Sequence, residues 1–409
     1  MAGDSPYTVK WGILATGGIA ETFTKDLLTN PAIRDVSDVK HELVAVASSS
    51  SADRAADFVK RVDGLSSVKA YGSYAELVAD PNVDIVYVAT PHSHHFQNTM
   101  LCLEAGKNVL CEKAFTVTVA QAKKLVDKAK EKNLFLMEAV WTRCFPLSIK
   151  VRELISSGAI GTVYRTFGKL VFSITDTLAC PAADLSFGKA NPDGSLDFPD
   201  TNRMVSLDLA GGALLDLGIY ALTWVFQSLY HVQPEASKEA PKVVSAINKY
   251  KTGADEQTSI ICQFPQHATM GIATTGMRVA TDPDGQKTAG AAIRIQGSEG
   301  EIQVLHPAYR PTAYRVIKKD SDGKVEVVDC PIPTDPQRNN WGHGMFWEAD
   351  ECARCLRDGK KQSAFMPWEE SVVIMDVMDQ VLQQGSVTYP ALITTDVYDA
   401  KSPLNTGNQ

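Results

Sequence analysis

The sequence predicts an α/β chain in two parts: a doubly wound parallel sheet in residues 1–140, followed by a mostly antiparallel α+β part in residues 141–409. Short apolar runs alternate with helical patterns up to residue 140, which is typical of βα units in a parallel sheet. Strand patterns joined by Gly and Asp turns then follow one another from Lys242 to Cys330. A length of 409 residues is ample for two domains.

The composition limits the partners and the compartment. A net charge of −8 gives no basic excess for a nucleic acid, so none is expected. The N-terminus has no signal-peptide pattern, and we read no apolar run as long enough to cross a bilayer, so we expect a cytoplasmic protein without a membrane partner. Eight cysteines are scattered through apolar runs, as in reduced proteins, and they predict neither disulfides nor a metal site.

The first predicted strand, Thr8 to Leu14, runs into a glycine-containing turn and a helix from Ile19 to Leu28. This order places backbone N–H groups and a helix N-terminus where a pyrophosphate can bind. The turn matches the dinucleotide pattern G-x-G-x-x-G/A with alanine in the first position. Its residues are Ala15, Thr16, Gly17, Gly18, Ile19 and Ala20. A turn without any ligand would have the same pattern, so the motif alone leaves both readings open.

The residues after the second strand indicate the type of dinucleotide. An NAD site has an acidic residue at this point, whereas this chain has Ser48, Ser49 and Ser50, followed by Arg54. Hydroxyl and guanidinium groups suit a 2′-phosphate, so the expected cofactor is NADP. The serines are also suited to capping the next helix, and both roles are compatible. The predicted strands of this part after the first are Glu42–Ala47, Asp84–Ala89, Asn108–Cys111 and Leu134–Met137, and a helix is predicted from Val119 to Lys132.

Three histidines follow the strand that ends at Ala89, in the stretch Thr90-Pro91-His92-Ser93-His94-His95. A metal site would need further ligands with tetrahedral geometry, and the sequence shows no such set. We therefore expect no metal. Cofactor contacts are predicted instead for Thr90, Pro91, His92 and His95.

The pair Glu112-Lys113 ends the buried strand pattern that begins at Asn108. Charges at the carboxyl end of such a strand face the crevice where open α/β sheets bind their ligands. The alternative is a solvated ion pair at the end of a strand. The stretch therefore predicts a functional site at this sheet edge without assigning its chemistry.

The second part begins with a helix from Pro146 to Ser157 and a strand from Thr162 to Phe172. Residues 173–208 are rich in Asp, Pro, Gly and Ser and predict a substrate lid. A long helix from Ala213 to Tyr230 then places Asp216 and Tyr220 on one face. From the pattern alone, the helix dipole accounts for Asp216 and the core for Tyr220. The remaining predicted elements are strands 243–250, 258–264, 268–277, 291–296, 301–305, 313–318 and 324–328, and helices 344–357 and 368–384.

With these residues in view, the chain is similar to the glucose-fructose oxidoreductase and inositol dehydrogenase superfamily, and within it to the dimeric dihydrodiol dehydrogenase type. The resemblance covers nearly the whole chain. It is carried by the turn at 15–20, by Thr90-Pro91 with His95, and by the stretches 106–113, 135–143, 211–220, 342–349 and 403–406. The family usually has proline after the Glu-Lys pair, and here Ala114 stands in that position.

The resemblance implies an NADP-dependent dehydrogenase that oxidises the C1 hydroxyl of an aldopyranose, with D-xylose expected, to the aldonolactone. It implies a catalytic group of Lys113, Asp216 and Tyr220, in which Tyr220 is the base and the Lys113 ammonium lowers the phenol's pKa. It adds Glu112, Lys113, Trp141 and Arg143 to the cofactor contacts. The implied substrate contacts are Lys113, Trp141, Phe145, Asp216 and Tyr220.

Two alternatives to this function remain open in the sequence. The same subfamily oxidises trans-dihydrodiols of aromatic hydrocarbons, and Trp141 and Phe145 would then stack on the ring. The superfamily also contains a catalytically silent NADP-binding regulator. A silent regulator has no need of Lys113 together with Asp216 and Tyr220, and the presence of all three favours an enzyme.

The family also implies that the C-terminal sheet is open, with helices on one face only. Its other face must then be covered, since soluble monomers rarely expose a large apolar patch. We place Met270, Ile272, Ile293 and Ile295 on that face and expect a homodimer formed through it. Residues 141–409 are thus the expected substrate-binding and dimerisation domain, whose last helices pack back on the NADP-binding domain.

Overall fold

The computed structural model describes residues 5–171 and 198–406. Two sheets organise these residues, one of six strands and one of eight. The α/β class expected from the sequence is thereby confirmed. Of the segment 173–208, for which a lid is predicted, residues 173–197 lie outside the described residues.

The N-terminal sheet is parallel, with the strand order β3-β2-β1-β4-β5-β6. The order reverses between β1 and β4, and such a switch point opens a ligand crevice at the carboxyl ends of the strands. The strands are β1 (Tyr7–Leu14), β2 (Val39–Ala47), β3 (Lys69–Tyr71), β4 (Ile85–Val88), β5 (Asn108–Glu112) and β6 (Leu136–Ala139). The helices are α1 (Gly18–Leu27), α2 (Ala52–Arg61), α3 (Tyr74–Ala79), α4 (His95–Glu104) and α5 (Val119–Lys132).

Local sequence explains why these helices begin and end where they do. Helix α5 is preceded by Thr118, which forms a reciprocal cap with Gln121, and is followed by Asn133, which takes the left-handed conformation. Helix α2 is capped by Ser51, whose side chain accepts a hydrogen bond from the N–H of Asp53. These local signals fix the helices between the strands. The side chains of β4 and β6, and those of β5 after Asn108, are buried on both sheet faces.

The C-terminal sheet has the order β14-β13-β12-β11-β7-β10-β9-β8, and all its pairs are antiparallel except β7 with β10. Its strands are β7 (Val163–Val171), β8 (Lys242–Lys249), β9 (Asp255–Phe264), β10 (Thr269–Gly276), β11 (Ile293–Gly297), β12 (Gly300–Val304), β13 (Ala313–Lys318) and β14 (Val325–Asp329). The helices of this half are α6 (Pro146–Ser156), α7 (Ile219–Leu229), α8 (Phe346–Arg357), α9 (Trp368–Gln384), α10 (Ala391–Thr394) and α11 (Pro403–Thr406).

The two faces of this sheet differ in what covers them. Helix α7 packs on the inner face, against β7 and β10. The outer face carries Met270, which is 37% exposed, and the half-buried Ile272. The placement of Ile293 and Ile295 on the outer face is wrong, because both are fully buried. Alternation along a strand shows which residues share a face, but the helix on the other side decides which face is inside.

Helix α8 of the C-terminal half packs on the N-terminal sheet, against β1 and β2. Its Asp350 accepts two hydrogen bonds from Arg34, at 2.8 and 2.9 Å, and lies 2.9 Å from Nε2 of His41. Nδ1 of the same ring accepts a hydrogen bond from the indole of Trp11 at 3.1 Å. Because all these side chains are buried, the network joins residues 309 and 316 positions apart into one core.

The stretch Leu207–Leu229 corrects one expectation. It is long and apolar enough to cross a membrane by length and composition, although we read no such run in the sequence. In the fold, 94% of its apolar window is buried inside the protein. A helix buried on all sides in a large core needs the same apolar composition as a membrane span.

Candidate active site

The turn after β1 lies at the crevice. Ala15 has a φ of 94°, a conformation that glycine adopts freely, so alanine bears a strain of about 1 kcal/mol here. Gly17 is the N-cap of α1, and a Cβ added there would meet nothing within 4 Å. The first N–H groups of α1 have no acceptor within the helix. This open helix N-terminus fits a pyrophosphate, as the sequence predicts for residues 15–19.

The serines after β2 lie beside Arg54. The guanidinium of Arg54 is exposed, and its Nη1 lies 3.4 Å from Oγ of Ser50. The backbone N–H of Ser50 is 3.4 Å from the buried hydroxyl of Ser48, and Ser49 is half-buried next to them. A cation and hydroxyl groups at the N-terminus of α2 fit a 2′-phosphate, so the predicted NADP preference has a matching site.

The residues after β4 divide into two groups. Pro91 is exposed at the crevice. Oγ1 of Thr90 is buried without a hydrogen-bond partner among the described residues, so it is free to bond a cofactor. His95 instead faces the protein, because its ring nitrogens lie 2.9 Å from the carbonyl oxygen of Thr90 and 2.8 Å from that of Ala114. The predicted cofactor contact of His95 is therefore corrected to a link between two loops.

Glu112 and Lys113 end β5 in different surroundings. The hydroxyl of Tyr87 donates a short hydrogen bond to the Glu112 carboxylate. Burial raises the pKa of this carboxyl despite the nearby Lys113 ammonium. The peptide bond between Lys113 and Ala114 is cis. Glu112 is thus held beneath the site, while the side chain of Lys113 extends to the second domain.

The ammonium of Lys113 is bound by Asp216. Its Nζ donates to Oδ1 of Asp216 at 2.7 Å and to the backbone carbonyl of the same residue at 2.8 Å. Burial alone would raise the pKa of the Asp216 carboxyl, but the charge of Lys113, assisted by Arg203 and His92, holds it well below its usual range. Nε2 of His92 lies 3.9 Å from Oδ1 of Asp216. The site thus contains an ion pair that joins the N-terminal and C-terminal halves of the chain.

Tyr220 lies next to this pair and is held by Trp141. The indole Nε1 of Trp141 donates to the hydroxyl oxygen of Tyr220 at 2.7 Å, and Nζ of Lys113 is 5.3 Å from the centre of the tyrosine ring. The expectation that Lys113 lowers the phenol's pKa is not met. Burial, and then the charge of Glu112, raise the pKa of Tyr220 well above its usual value, although the hydrogen bond from Trp141 lowers it.

An aromatic cluster surrounds Trp141. His343 stacks on its indole, with ring centres 4.9 Å apart and an angle of 15° between the planes. Tyr309 lies near both Trp141 and Tyr220. Phe145 is only 1% exposed and packs edge-on against Trp141 from below. The predicted substrate contact of Phe145 is therefore corrected to a support for the indole.

Arg143 also differs from its predicted role. Its side chain is fully buried, with Nη1 2.7 Å from the carboxylate of Glu370 and Nε bonded to the carbonyl oxygen of Phe365. A guanidinium enclosed in this way has no surface that a cofactor could contact. The predicted cofactor contact is corrected to a structural ion pair between the Trp141–Cys144 turn and α9.

Two residues of the site were missed in the sequence. Arg203 comes within 3.5 Å of Asp216, and nothing in its local sequence marks it. His343 lies in the stretch Gly342-His343-Gly344, which the family resemblance includes but to which no role was assigned. Its contact with Trp141 joins residues 202 positions apart (343 − 141), and sequence spacing carries no signal for such a contact.

A parallel sheet has an open helix N-terminus at its switch point, and its Lys113 meets Asp216 and Tyr220 of the C-terminal half. This arrangement defines a nucleotide-dependent oxidoreductase. Comparisons with known proteins agree. Residues 9–140 match the family GFO_IDH_MocA, described as an oxidoreductase family with an NAD-binding Rossmann fold. The chain is 67% identical over 410 residues to the D-xylose 1-dehydrogenase (NADP(+)) of Hypocrea jecorina, covering 100% of both chains.

More distant relatives and solved structures extend this result. The trans-1,2-dihydrobenzene-1,2-diol dehydrogenase of Homo sapiens is 33% identical over 384 residues, which cover 93% of this chain and 98% of the relative. The structure of a levoglucosan dehydrogenase in complex with NADH and levoglucosan superposes with a TM-score of 0.72 at 17% identity, covering 93% of this chain and 97% of that one. At 17% identity, the likeness to the levoglucosan dehydrogenase shows the fold alone. This chain belongs to the GFO/IDH/MocA family of oxidoreductases.

Proposed function

We propose that this protein is an NADP-dependent dehydrogenase that oxidises the C1 hydroxyl of an aldopyranose, D-xylose, to the aldonolactone. The observation that carries the proposal is the site itself: Lys113 held by Asp216 at 2.7 Å, with Tyr220 beside them. The 67% identity over the whole chain to a D-xylose 1-dehydrogenase (NADP(+)) supports the substrate and the cofactor.

The cofactor would be held at three places along the crevice. The N-terminus of α1 at Gly17 would bind the pyrophosphate, and Ser50 and Arg54 would bind the 2′-phosphate. The buried hydroxyl of Thr90, which has no hydrogen-bond partner among the described residues, would be a further contact. When bound, the oxidised nicotinamide accepts the hydride from the substrate carbon. The protein's own residues must then bind the sugar and remove the proton of its hydroxyl.

In this proposal Tyr220 takes the proton of the C1 hydroxyl, and Lys113 donates a hydrogen bond to the same substrate oxygen. Asp216 keeps the ammonium in place from the side of the second domain. Since burial raises the pKa of the phenol, its deprotonation depends on nearby positive charge and on the hydrogen bond from Trp141. Trp141 and Asp216 thus position the reacting groups, while Lys113 and Tyr220 act on the substrate.

A second candidate substrate is a trans-dihydrodiol. The 33% identical relatives carry that activity in their names, and the aromatic cluster around Trp141 and Tyr309 would suit a flat ring. The higher identity to a sugar dehydrogenase favours the aldopyranose. The complete group of Lys113, Asp216 and Tyr220 argues against a silent regulator, which would need none of them.

Steady-state assays of the purified protein test this function directly. NADPH formation is measured with D-xylose, other aldoses and trans-1,2-dihydrobenzene-1,2-diol, with NADP+ and NAD+ in parallel. We expect the highest kcat/KM with D-xylose and NADP+, and loss of the activity in Lys113→Met. A protein that binds NADP+ but oxidises neither sugars nor diols would contradict the proposal, and a preference for the diol would move it to the second candidate.

We also propose that the protein is a homodimer formed through the outer face of the C-terminal sheet. Ile272 lies directly opposite Ile261 on one neighbouring strand and Phe167 on the other, with Met270 beside them on the same face. These side chains form an apolar stripe that no helix of the described residues covers. A second copy of the same face would cover it in a closed, twofold arrangement.

A cytoplasmic location is proposed on chemical grounds. The described cysteines (102, 111, 144, 262, 330, 352 and 355) are all free thiols, and all except Cys330 are buried. Unpaired cysteines used as small apolar core residues are typical of a reducing compartment. Fractionation of cells that produce the protein, with both cytosolic and organellar markers, tests this location.

A further inference from the structure

We propose that Arg203 recognises the substrate hydroxyl on the carbon next to the one that is oxidised, acting together with Asp216. This inference rests on the proposed function and assigns a specificity-determining residue within it. The Lys113–Tyr220 pair serves the reacting oxygen. Arg203 and Lys113 both contact the Asp216 carboxylate. In this inference, the hydroxyl on the neighbouring carbon lies beside Arg203.

Arg203 lies at the solvent-exposed edge of the site, where its guanidinium can donate hydrogen bonds to a ligand. Its Nη1 lies 3.5 Å from Oδ1 of Asp216, the oxygen that also accepts the 2.7 Å hydrogen bond from Lys113. The Arg203 side chain is 44% exposed, whereas that of Asp216 is 9% exposed. At 3.5 Å the contact is longer than a strong charge-assisted hydrogen bond, and a guanidinium has five N–H donors, so donors remain for a ligand.

The backbone around Arg203 is fixed to the segment that carries Asp216. The N–H of Gly212 donates to the carbonyl oxygen of Met204 at 2.9 Å, and the N–H of Gly211 donates to that of Ser206 at 2.8 Å. A Cβ at Gly211 would lie 2.8 Å from the carbonyl oxygen of Arg203, so the two stretches pack without room for a side chain. The Arg203 side chain therefore extends from a backbone that is hydrogen-bonded to the stretch just before Asp216.

The chemistry of this pair fits a hydroxyl. A hydroxyl group both donates and accepts a hydrogen bond, and a carboxylate next to a guanidinium offers one acceptor and several donors. D-xylose has hydroxyls on C1 and C2, and a 1,2-diol has them on neighbouring carbons. The substrates named for the 67% and 33% identical relatives thus share a hydroxyl beside the reacting one. A single Arg-Asp pair would serve either substrate.

The test is a double-mutant-type cycle, in which one change is made in the enzyme and the other in the substrate. The kcat/KM of the wild-type protein and of Arg203→Met is measured with D-xylose and with its 2-deoxy analogue, using NADP+. We expect the wild type to prefer D-xylose by about 10- to 100-fold, since a hydrogen bond to a charged group is lost with the hydroxyl. In Arg203→Met this preference should fall to within about threefold, and Arg203→Lys should restore part of it.

The controls separate this role from a structural one. Lys251→Met breaks the exposed ion pair with Asp200 in the same segment, 3.1 Å in length, and should keep the full preference for the 2-hydroxyl. An Arg203→Met variant that loses activity equally on both sugars would overturn the inference. A wild-type protein that oxidises no aldopyranose would instead refute the proposed function, and the same cycle with a diol and its monohydroxy analogue would then decide the role of Arg203.

Discussion

The indole nitrogen of Trp141 donates a hydrogen bond of 2.7 Å to the hydroxyl oxygen of Tyr220. This bond lowers the pKa of the phenol, against burial and the charges of Glu112 and Asp216, which raise it. Trp141→Phe should therefore raise that pKa further. Because the base acts in its deprotonated form, the pH at which kcat rises should move upward. A pH profile of kcat measures this shift.

Trp347→Phe is the matched control for the loss of an indole. Trp347 packs against Phe145, with ring centres 4.7 Å apart. Its indole does not bond the Tyr220 hydroxyl, so its replacement should leave the pH dependence of kcat unchanged. An unchanged profile in Trp141→Phe would show that Tyr220 does not titrate in the catalytic step.

Lys113 and Tyr220 serve the same proton transfer, so their effects should not add. Tyr220→Phe should lower kcat by about 10²- to 10⁴-fold with NADP+ binding retained. Lys113→Met should cost at least as much, and the double variant should be little worse than the worse single one. Single-turnover rates and NADP+ titrations measure these values. Near-normal turnover in Tyr220→Phe with an inactive Lys113→Met would make the lysine the base.

Arg54 should determine the preference for NADP+ over NAD+. Its guanidinium is exposed beside Ser50, where only the 2′-phosphate distinguishes the two cofactors. Arg54→Ala should raise the KM for NADP+ about 10- to 100-fold and leave the KM for NAD+ nearly unchanged. Lys60→Ala, an exposed cation on the same helix, is the control. Equal losses for both cofactors would refute the 2′-phosphate site.

Glu348 is a fully buried carboxyl whose two oxygens have no hydrogen-bond partner among the described residues. Burial raises its pKa well above 4.5. Above pH 4.5 the unfolded chain loses this proton while the folded protein keeps it, so the free energy of unfolding falls as pH rises. Glu348→Gln should remove this loss and stabilise the protein by about 1–3 kcal/mol at pH 8.

Denaturant unfolding at pH 5 and pH 8 tests that sign. The advantage of Glu348→Gln over the wild type should be larger at pH 8 than at pH 5. Glu326→Gln, on the exposed strand β14, should show no such dependence. A Glu348→Gln variant that is less stable at pH 8 would mean that the carboxylate has a partner in solution.

Ile272 lies in the middle of the apolar stripe proposed as the dimer interface. A charge there cannot be solvated once a second copy covers it, so Ile272→Lys should yield monomers or aggregates. Light scattering at micromolar concentration gives the mass. Leu65→Lys, at a 74% exposed position of the other domain, should remain dimeric. A wild-type protein that is monomeric at this concentration would refute the proposed interface.

Local patterns predicted what depends on local physics. Helix α5 has the predicted bounds, Val119 to Lys132, because its cap and its ending residue lie in its own sequence. The buried ion pair of Arg143 was out of reach, because its partner Glu370 is 227 positions away. The same holds for Ile293 and Ile295, whose burial depends on a helix elsewhere in the chain. In these cases the position of the side chain depends on contacts with residues far away in the sequence, which a local pattern does not contain.

The joining of α8 to the N-terminal sheet sets a condition on how the protein is made. Strands β1 and β2 leave the ribosome early, but Asp350, which binds Arg34 and His41, follows some 300 residues later. At 5–20 residues per second this interval lasts roughly 15–60 s, during which the sheet lacks part of its cover. Each nascent chain must therefore keep this apolar face away from other chains until α8 has been made.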